Sequence, residues 1–264
     1  MALRPALLIA GFAALLGCGV LTAPPAARAA CAGCHTEHFR EQGTCTGCHR
    51  GNPTSTRANL AHAGLLSRGA AAWGMPGAAA VAEGDRLRDR LGCRRCHVTG
   101  GRGNAYAISL DRVAWRRSQA QLRDAILSPA TFMPDFSLTP RQADALIAVL
   151  LRDGERDGRE SRYLVRFRDG RSNRPNGFAV QCGPCHRALT PEGALGTSAS
   201  GPNLTGLLSG HYPDPDGRAW DEARLASWLR NPRGERPTSA MRPVTLNSAE
   251  WHDVLSALGP PPSR

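Results

Sequence analysis

Four copies of one short pattern, Cys-x-x-Cys-His, constrain the fold of this 264-residue chain more than any other feature of its sequence. Eight of the nine cysteines belong to these copies, and a histidine follows each pair at once. The copies are Cys31-Ala-Gly-Cys34-His35, Cys45-Thr-Gly-Cys48-His49, Cys93-Arg-Arg-Cys96-His97 and Cys182-Gly-Pro-Cys185-His186. Disulfides, a thioredoxin-like redox pair or zinc could explain paired cysteines, but none of the three requires a histidine after every pair.

The pattern is the attachment signature of c-type haem. Two thiols three residues apart reach the two vinyl groups on one side of a porphyrin and form thioethers, and the next residue then lies beneath the iron. The sequence therefore predicts four covalently bound haem c groups, attached through all eight paired cysteines. The predicted proximal iron ligands are His35, His49, His97 and His186.

The composition fits a chain whose interior is partly filled by porphyrin, because only 5% of the residues are aromatic while 41% are hydrophobic. The formal net charge is +11, and all 33 basic residues are arginine. No basic motif typical of nucleic-acid recognition accompanies this excess, so we expect no nucleic-acid partner. Without residues 1–30 the charge falls to +9, and eight haem propionates, about −8, bring the loaded chain close to neutral.

Residues 1–30 resemble a bacterial export signal, with Arg4, a long apolar run and small residues at the end. Covalent attachment of haem in bacteria takes place outside the cytoplasmic membrane. We therefore expect a periplasmic or periplasm-facing, membrane-attached protein. Three fates of the segment remain open: cleavage near Ala30, lipidation of Cys18 in its Leu-Leu-Gly-Cys box, or an uncleaved anchor.

The spacing of the motifs predicts three haem-bearing units. Cys31 and Cys45 lie only 14 residues apart, which leaves no room for one domain per haem, so the first two haems must share a small unit. Each later motif is followed by one plan, namely a helical stretch, a methionine and a final amphipathic helix. The predicted organisation is a signal peptide or lipoprotein/anchor segment at 1–30, a dihaem module at 31–67, a linker at 68–81, a monohaem domain at 82–155, a linker at 156–176 and a monohaem domain at 177–264.

Helices are predicted at equivalent places in the two copies. In the first copy they are 119–127 and 139–151, where Thr139 is a good N-cap and Pro140 suits the first helical position. In the second copy they are 220–229 and 248–258, the last with Ser248 as its predicted cap.

The two C-terminal copies resemble class I monohaem cytochrome c domains, which combine a helix, the Cys-x-x-Cys-His motif, a Gly-Pro-x-Leu element, a methionine loop and a C-terminal helix. Residues 201–204 supply that element in the second copy. The resemblance implies that the Pro202 carbonyl accepts a hydrogen bond from the proximal imidazole, which orients the ring and tunes the iron. In the first copy residues 104–107 (Asn-Ala-Tyr-Ala) follow the motif without a proline, so the acceptor for His97 stays open.

The N-terminal unit resembles the small bis-His multihaem modules. The implied fold class is all-α, with two helical cytochrome c-like domains and little regular secondary structure in the dihaem part. Only His38 and His62 remain in this unit as sixth ligands. Because His38 lies three residues after His35, it reaches the opposite face of its own iron poorly, and a crossed pairing is expected in which His38 serves haem two and His62 serves haem one. The swapped pairing stays open.

Met133 and Met241 are the predicted sixth ligands of the third and fourth haems, because both lie in equivalent loops near a proline before the final helix. Core packing is the alternative role of a methionine. Met75 falls in the first linker, where packing or exposure is expected. His211 is the rival of Met241, and His252 is expected on the surface of the last helix.

An iron with six filled positions offers no site to a substrate, so the sequence predicts an electron-transfer protein rather than an enzyme. Replacing one axial histidine by methionine raises the potential, and electrons should therefore enter at the first two haems and leave through the third or fourth. The expected role is outer-sphere electron transfer in a respiratory chain, with a membrane quinol-oxidising cytochrome b as a candidate partner. The alternative is a haem enzyme, such as a peroxidase or an oxyanion reductase, in which one axial ligand detaches.

Overall fold

The computed structural model describes residues 30–66, 68–73, 75, 77–130, 132–154, 165 and 176–260. These residues form eleven α-helices, three short 3₁₀ segments and one two-stranded sheet. The predicted all-α fold class is confirmed. In the part of the chain that the structure describes, no helix has the length and apolar character needed to cross a membrane.

Several sequence predictions fall outside the described residues. They include the export segment at 1–30, of which only Ala30 is described. Cys18 therefore also lies outside the described residues. The second linker, 156–176, is described only at Val165 and Asn176. Thr131, in the loop of Met133, also lies outside.

The N-terminal unit contains only short segments of regular structure. Its elements are 3₁₀ turns at Ala30–Gly33 and Arg40–Gln42, followed by α1 (Cys45–His49), α2 (Ala58–Ala61) and α3 (Arg68–Ala71). The second motif forms α1 itself, and the Thr44 hydroxyl caps it by accepting a hydrogen bond from the Gly47 amide at 3.1 Å. Helices of four or five residues do not persist alone in water. The short helices of this unit therefore depend on contacts with other parts of the chain.

The domain around the third motif, residues 79–154, is built on two crossing helices. Its elements are α4 (Ala79–Leu91), a 3₁₀ turn at Cys93–Arg95, α5 (Leu110–Arg116), α6 (Gln119–Leu127) and α7 (Pro140–Asp153). Gly84 lies where α4 meets α7, and a Cβ there would stand 2.0 Å from the Ala145 carbonyl oxygen. Glycine is therefore needed for this close approach.

Helix boundaries in this third-motif domain agree closely with the sequence. The helix α6 occupies the predicted residues 119–127, and Ser118 caps it through a capping box with Gln121. Thr139 caps α7 with Pro140 as the first helical residue, as predicted, and the helix runs two residues beyond the predicted end. The predicted linker 68–81 contains α3, and α4 begins at Ala79, three residues before the predicted start of the domain.

The domain around the fourth motif, residues 176–260, has a small hairpin among its helices. Its elements are α8 (Gly177–Gln181), β1 (Ala188–Thr190), β2 (Gly193–Leu195), α9 (Glu222–Arg230), α10 (Pro232–Glu235) and α11 (Ser248–Leu258). The strands are antiparallel, with Ala188 opposite Leu195. This hairpin was not predicted, because strands of three residues are too short to show an alternation of apolar and polar residues.

The fourth-motif domain packs α8, α9 and α11 around one apolar core. Its buried members are Phe178, Cys182, Ala188, Leu207, Leu225, Leu229, Val254, Ala257 and Leu258. The predicted bounds of α11 are correct, but its cap is wrong. Asn247, not Ser248, accepts hydrogen bonds from the Ala249 and Glu250 amides. An asparagine side chain at the N-cap takes this role as readily as serine, and Ser248 is already helical.

Candidate cofactor sites

One cavity collects both motifs of the N-terminal unit. Its volume is about 660 Å³, within the ~300–1,000 Å³ of sites that hold a small molecule or cofactor. The lining includes the paired cysteines and proximal histidines of both motifs, both spare histidines and Met75: Cys31, Cys34, His35, His38, Cys45, Cys48, His49, His62 and Met75. The structure thus places every residue predicted to bind haems one and two on the walls of the same space.

The four histidines of this cavity are arranged as two pairs. The Nε2 atoms of His38 and His49 lie 3.4 Å apart, and the two rings are nearly perpendicular. The rings of His35 and His62 have centroids 5.9 Å apart and are tilted by 48°. A metal–imidazole bond is ~2.0–2.1 Å, so two imidazole nitrogens on opposite sides of one iron stand about 4 Å apart. The His38–His49 separation is close to that value.

Met75 lies in the predicted linker, where packing or exposure was expected. The structure places it half-buried on the wall of the dihaem cavity.

The third site has an acceptor for its proximal histidine that the sequence did not reveal. The Nδ1 atom of His97 lies 2.7 Å from the carbonyl oxygen of Ile108. A carbonyl only accepts, so Nδ1 carries the proton and Nε2 keeps its lone pair free for a metal. Burial lowers the pKa of His97, which favours the same neutral imidazole. Ile108 thus fills the role that a proline carbonyl has in the Gly-Pro-x-Leu pattern.

A second cavity, of about 830 Å³, is formed by the third-motif domain. Cys93, Cys96 and His97 lie on its wall together with Met133, and the rest of the wall is mostly apolar. The apolar members include Ile108, Leu122, Ile126, Phe132, Leu146 and Val149. The methionine predicted from the repeated plan therefore faces the same space as the third motif, although 36 residues separate His97 from it along the chain.

The fourth site shows the hydrogen bond that the resemblance implied. His186 Nδ1 lies 2.8 Å from the carbonyl oxygen of Pro202, so the same tautomer argument leaves Nε2 free. Gly201 is pressed against the ring, because a Cβ at this position would stand 2.4 Å from His186 Cε1. The Gly-Pro pair thus provides the acceptor with one residue and room for the imidazole with the other.

Met241 lies against the apolar core of the fourth-motif domain, the same core to which Cys182 belongs. The Nε1–H of Trp228 on α9 donates to the Met241 sulfur at 3.1 Å. Trp228 in turn meets Trp220 edge to face, with ring centroids 5.6 Å apart. The role of Trp228 could not be predicted from the sequence, because the sequence of an amphipathic helix does not indicate which acceptor a tryptophan N–H will bond to.

The other candidate ligands of the fourth site lie elsewhere. Burial lowers the pKa of His211, and nearby Arg102 and Arg94 of the third-motif domain lower it further. His211 therefore lies beside arginines of the other domain. His252 is exposed on α11.

The cysteines suit thioether formation. All eight described cysteines have free thiols. Burial raises the pKa of Cys93 and of Cys182 to about 11, so these thiols are protonated at neutral pH in the unloaded chain. The cavity of the third site, mostly apolar and lined by a pair of thiols and by an imidazole whose Nε2 is free, fits a covalently attached porphyrin with an axial histidine.

Comparison with known proteins covers one part of the chain. Residues 79–149 match the family model for cytochrome c oxidase, cbb3-type, subunit III. No curated protein and no solved structure matches the chain. The matched segment contains α4, the third motif, Met133 and most of α7. The match supports a c-type cytochrome domain in this region, and with it covalently bound haem c and a haem-based role in electron transfer.

Proposed function

We propose that the chain is a tetrahaem c-type cytochrome that transfers electrons by an outer-sphere route and performs no chemistry on a substrate. The observation that carries the proposal is the second cavity, where the third motif and Met133 face the same space. A Cys-x-x-Cys-His motif alone predicts that haem is attached. A motif that shares its cavity with a second candidate ligand predicts in addition that the sixth position of the iron is filled. Such an iron exchanges electrons without binding a substrate.

In the N-terminal unit we assign bis-His coordination. His35 pairs with His62 and His49 pairs with His38, because these are the rings that the structure brings together. His38 meets the ring of His49 edge to face, which supports the crossed pairing in which His38 serves haem two.

In the two later domains we assign one histidine and one methionine to each iron. His97 and Met133 form the third set, and His186 and Met241 the fourth. A haem bound in such a site supplies an iron that gains or loses one electron. The chain's own groups then set its environment: the Ile108 and Pro202 carbonyls orient the two imidazoles, and apolar side chains exclude water from the cavities.

The ligand sets divide the chain into two halves of different potential. Histidine at both axial positions favours a lower potential than histidine with methionine. The N-terminal unit is therefore the proposed entry side for electrons, and the two later domains the exit side. We further propose a periplasmic or membrane-attached location, with Cys18 as a candidate lipid anchor and a membrane cytochrome b that oxidises quinol as a candidate partner. In that setting the chain would be a non-catalytic subunit of an oxidoreductase complex.

A potentiometric titration followed by visible spectra tests the assignment. The expected result is four one-electron steps, two at low and two at high potential, with a far-red methionine–iron band that belongs only to the high-potential pair. Four equal low potentials without that band would overturn the ligand sets. H38A and H62A should each remove one low-potential step and leave the far-red band unchanged.

Binding of an external ligand separates the carrier from a haem enzyme. With all irons six-coordinate, carbon monoxide should bind the reduced native protein slowly and incompletely. Rapid binding to one haem would favour an enzyme in which an axial ligand detaches, such as a peroxidase or an oxyanion reductase, and would contradict the saturated carrier.

A further inference from the structure

The loop between the third motif and Ile108 departs from the Gly-Pro-x-Leu pattern, and the structure shows what its residues contact instead. Two polar groups of this loop, the Asn104 amide and the Tyr106 hydroxyl, form hydrogen bonds with the fourth-motif domain. The Arg95 guanidinium, which belongs to the third motif itself, forms another. The proximal histidine of the third site needs none of them, because Ile108 serves it.

Arg95 lies inside the third motif, immediately before Cys96, and its side chain is buried at 8% exposure. Its Nη1 donates to the carbonyl oxygen of Asn203 at 2.9 Å, and its guanidinium lies 5.5 Å from the centre of the Tyr212 ring. Among the described residues no carboxylate forms an ion pair with it. Burying a cation that only a carbonyl and an aromatic ring contact costs free energy. A residue with this cost, placed where the two cofactor sites meet, is therefore a candidate for a specific role there.

The carbonyl that Arg95 contacts belongs to the loop that holds the fourth site. Asn203 follows Pro202, whose own carbonyl oxygen accepts from His186 at 2.8 Å. Tyr212 donates its hydroxyl to the same Asn203 oxygen at 3.0 Å. One short path therefore links the third motif, through Arg95 and two loop residues, to the proximal imidazole of the fourth site.

Three further hydrogen bonds flank this path. Asn104 donates one amide hydrogen to the Arg95 carbonyl at 3.0 Å and another to the Ser209 hydroxyl at 2.8 Å. The Tyr106 hydroxyl donates to the carbonyl of Gly259, just past α11, at 3.0 Å. Gly206 fits between the domains, because a Cβ there would stand 2.8 Å from the Asn104 amide nitrogen.

We propose that residues 95–106 are a docking loop that fixes the third and fourth haem domains in one orientation, with Arg95 as the positioning residue of this joint. The inference rests on the proposed function for its consequence: the two domains act as one electron-transfer pair. With haem bound at both sites, one electron would pass from the iron of one site, which would be oxidised, to the iron of the other, which would be reduced, with no proton or further reactant. The joint sets the rate of this exchange by holding the separation of the sites constant.

The test compares R95Q with the native holoprotein in two measurements. The first is hydrogen exchange at the Leu207 and Ser209 amides, which lie in the loop that the docking loop covers. Loss of a charged hydrogen bond should raise opening of the joint about 10- to 100-fold, and exchange at these amides with it. The second is the rate of electron transfer between the third and fourth haems after photochemical reduction, which should fall while the spectra of both haems stay native.

One control variant and one second test variant accompany R95Q. R123Q alters an arginine of the same domain that lies outside the motif and whose guanidinium bonds to Asp144 within that domain, and it should leave both measurements at native values. Y106F keeps the ring and removes only the bond to Gly259, so exchange should rise by about 2- to 10-fold. If R95Q disturbs haem attachment, Y106F alone decides the matter.

Native exchange and native electron-transfer rates in both R95Q and Y106F would overturn the proposal. So would an effect of R123Q equal to that of R95Q, since the path through Asn203 would then have no special role. Failure of the proposed function gives a different result, because the native protein would then show no electron transfer between two haems in these domains. The hydrogen-exchange measurement would still report on the joint, since it does not depend on electron transfer.

Discussion

The indole Nε1–H of Trp228 donates a hydrogen bond to the thioether sulfur of Met241 at 3.1 Å. A donor on the sulfur withdraws electron density from it, which weakens its donation to a ferric iron and raises the potential of the site. W228F removes the donor and keeps an aromatic ring in the core. We expect the potential of the fourth haem to fall by about 20–40 mV, from a hydrogen bond of ~0.5–1 kcal/mol, in a potentiometric titration.

Trp220 provides the matched control for that substitution. It packs edge to face on Trp228 and forms no hydrogen bond with the sulfur among the described residues. W220F should therefore leave the potential of the fourth haem within a few millivolts of the native value. Equal shifts in the two variants would mean that packing, and not the N–H donor, sets the potential.

Replacement of Met133 tests the third site. Leucine has nearly the volume of methionine and no sulfur, so M133L should leave one iron five-coordinate and open to carbon monoxide. If both methionine-ligated haems contribute equally, the far-red band should fall to about half. M75L is the control, because Met75 lines the dihaem cavity instead. Loss of the band in M75L, or its full retention in M133L, would contradict the assignment.

Gly201 tests whether the fourth site needs space beside its imidazole. An added Cβ would stand 2.4 Å from His186 Cε1, and the ring cannot retreat easily because its Nδ1 is bonded to Pro202. G201A should cost about 1–3 kcal/mol of stability and lower the occupancy of the fourth haem, as measured by mass spectrometry and denaturant unfolding. G210A has no atom within 4 Å of its new Cβ, and both quantities should stay close to native.

Glu235 gives the fourth-motif domain part of its acid sensitivity. Hydrogen bonds from Arg224, followed by the charges of Arg224, Arg218 and Arg236, hold its pKa below the ordinary value of 4.5. A carboxyl whose pKa is lowered by folding stabilises the folded state fully above that ordinary value, and the contribution is lost as the pH falls through the lowered one. E235Q should therefore flatten the decline of unfolding free energy below about pH 4.5.

The measurement for Glu235 is denaturant unfolding at a series of pH values. The variant should lose up to about 1 kcal/mol at neutral pH and converge with the native protein in acid. E83Q, which breaks an exposed pair with Arg86 in the other domain, should keep the native slope below pH 4.5. An unchanged slope in E235Q would show that other carboxyls account for the acid sensitivity.

The features that could be predicted from the sequence are those set by local spacing. The four motifs, the helices α6 and α7, and the Thr139 cap with Pro140 each depend on residues within one or two turns of one another. The all-α class followed from the resemblance of the two C-terminal copies to cytochrome c domains. Met133 was identified because the second copy of the plan repeats it, and the structure places it on the cavity wall of the third site.

The features that could not be predicted depend on main-chain atoms or on long-range packing. The Ile108 carbonyl leaves no mark in the sequence, because every residue carries one. Met75 lies on the wall of the dihaem cavity although it is 13 residues from His62 along the chain, the nearest histidine of that cavity. The short hairpin β1–β2 and the bonds from Arg95 to the fourth-motif domain likewise arise from contacts between distant parts of the chain.

Because the main-chain oxygen of Ile108 accepts the hydrogen bond from His97, this bond does not depend on which side chain residue 108 carries. With a side-chain acceptor, the bond and the identity of the residue would be tied together. The Ile108 side chain is 50% exposed, while its carbonyl holds the proximal imidazole. The identity of this residue can therefore change, during evolution or in the laboratory, without loss of the bond that orients the ring. The surface that a redox partner would meet at this edge of the cavity can thus adapt to new partners while the electronic properties of the metal site stay the same.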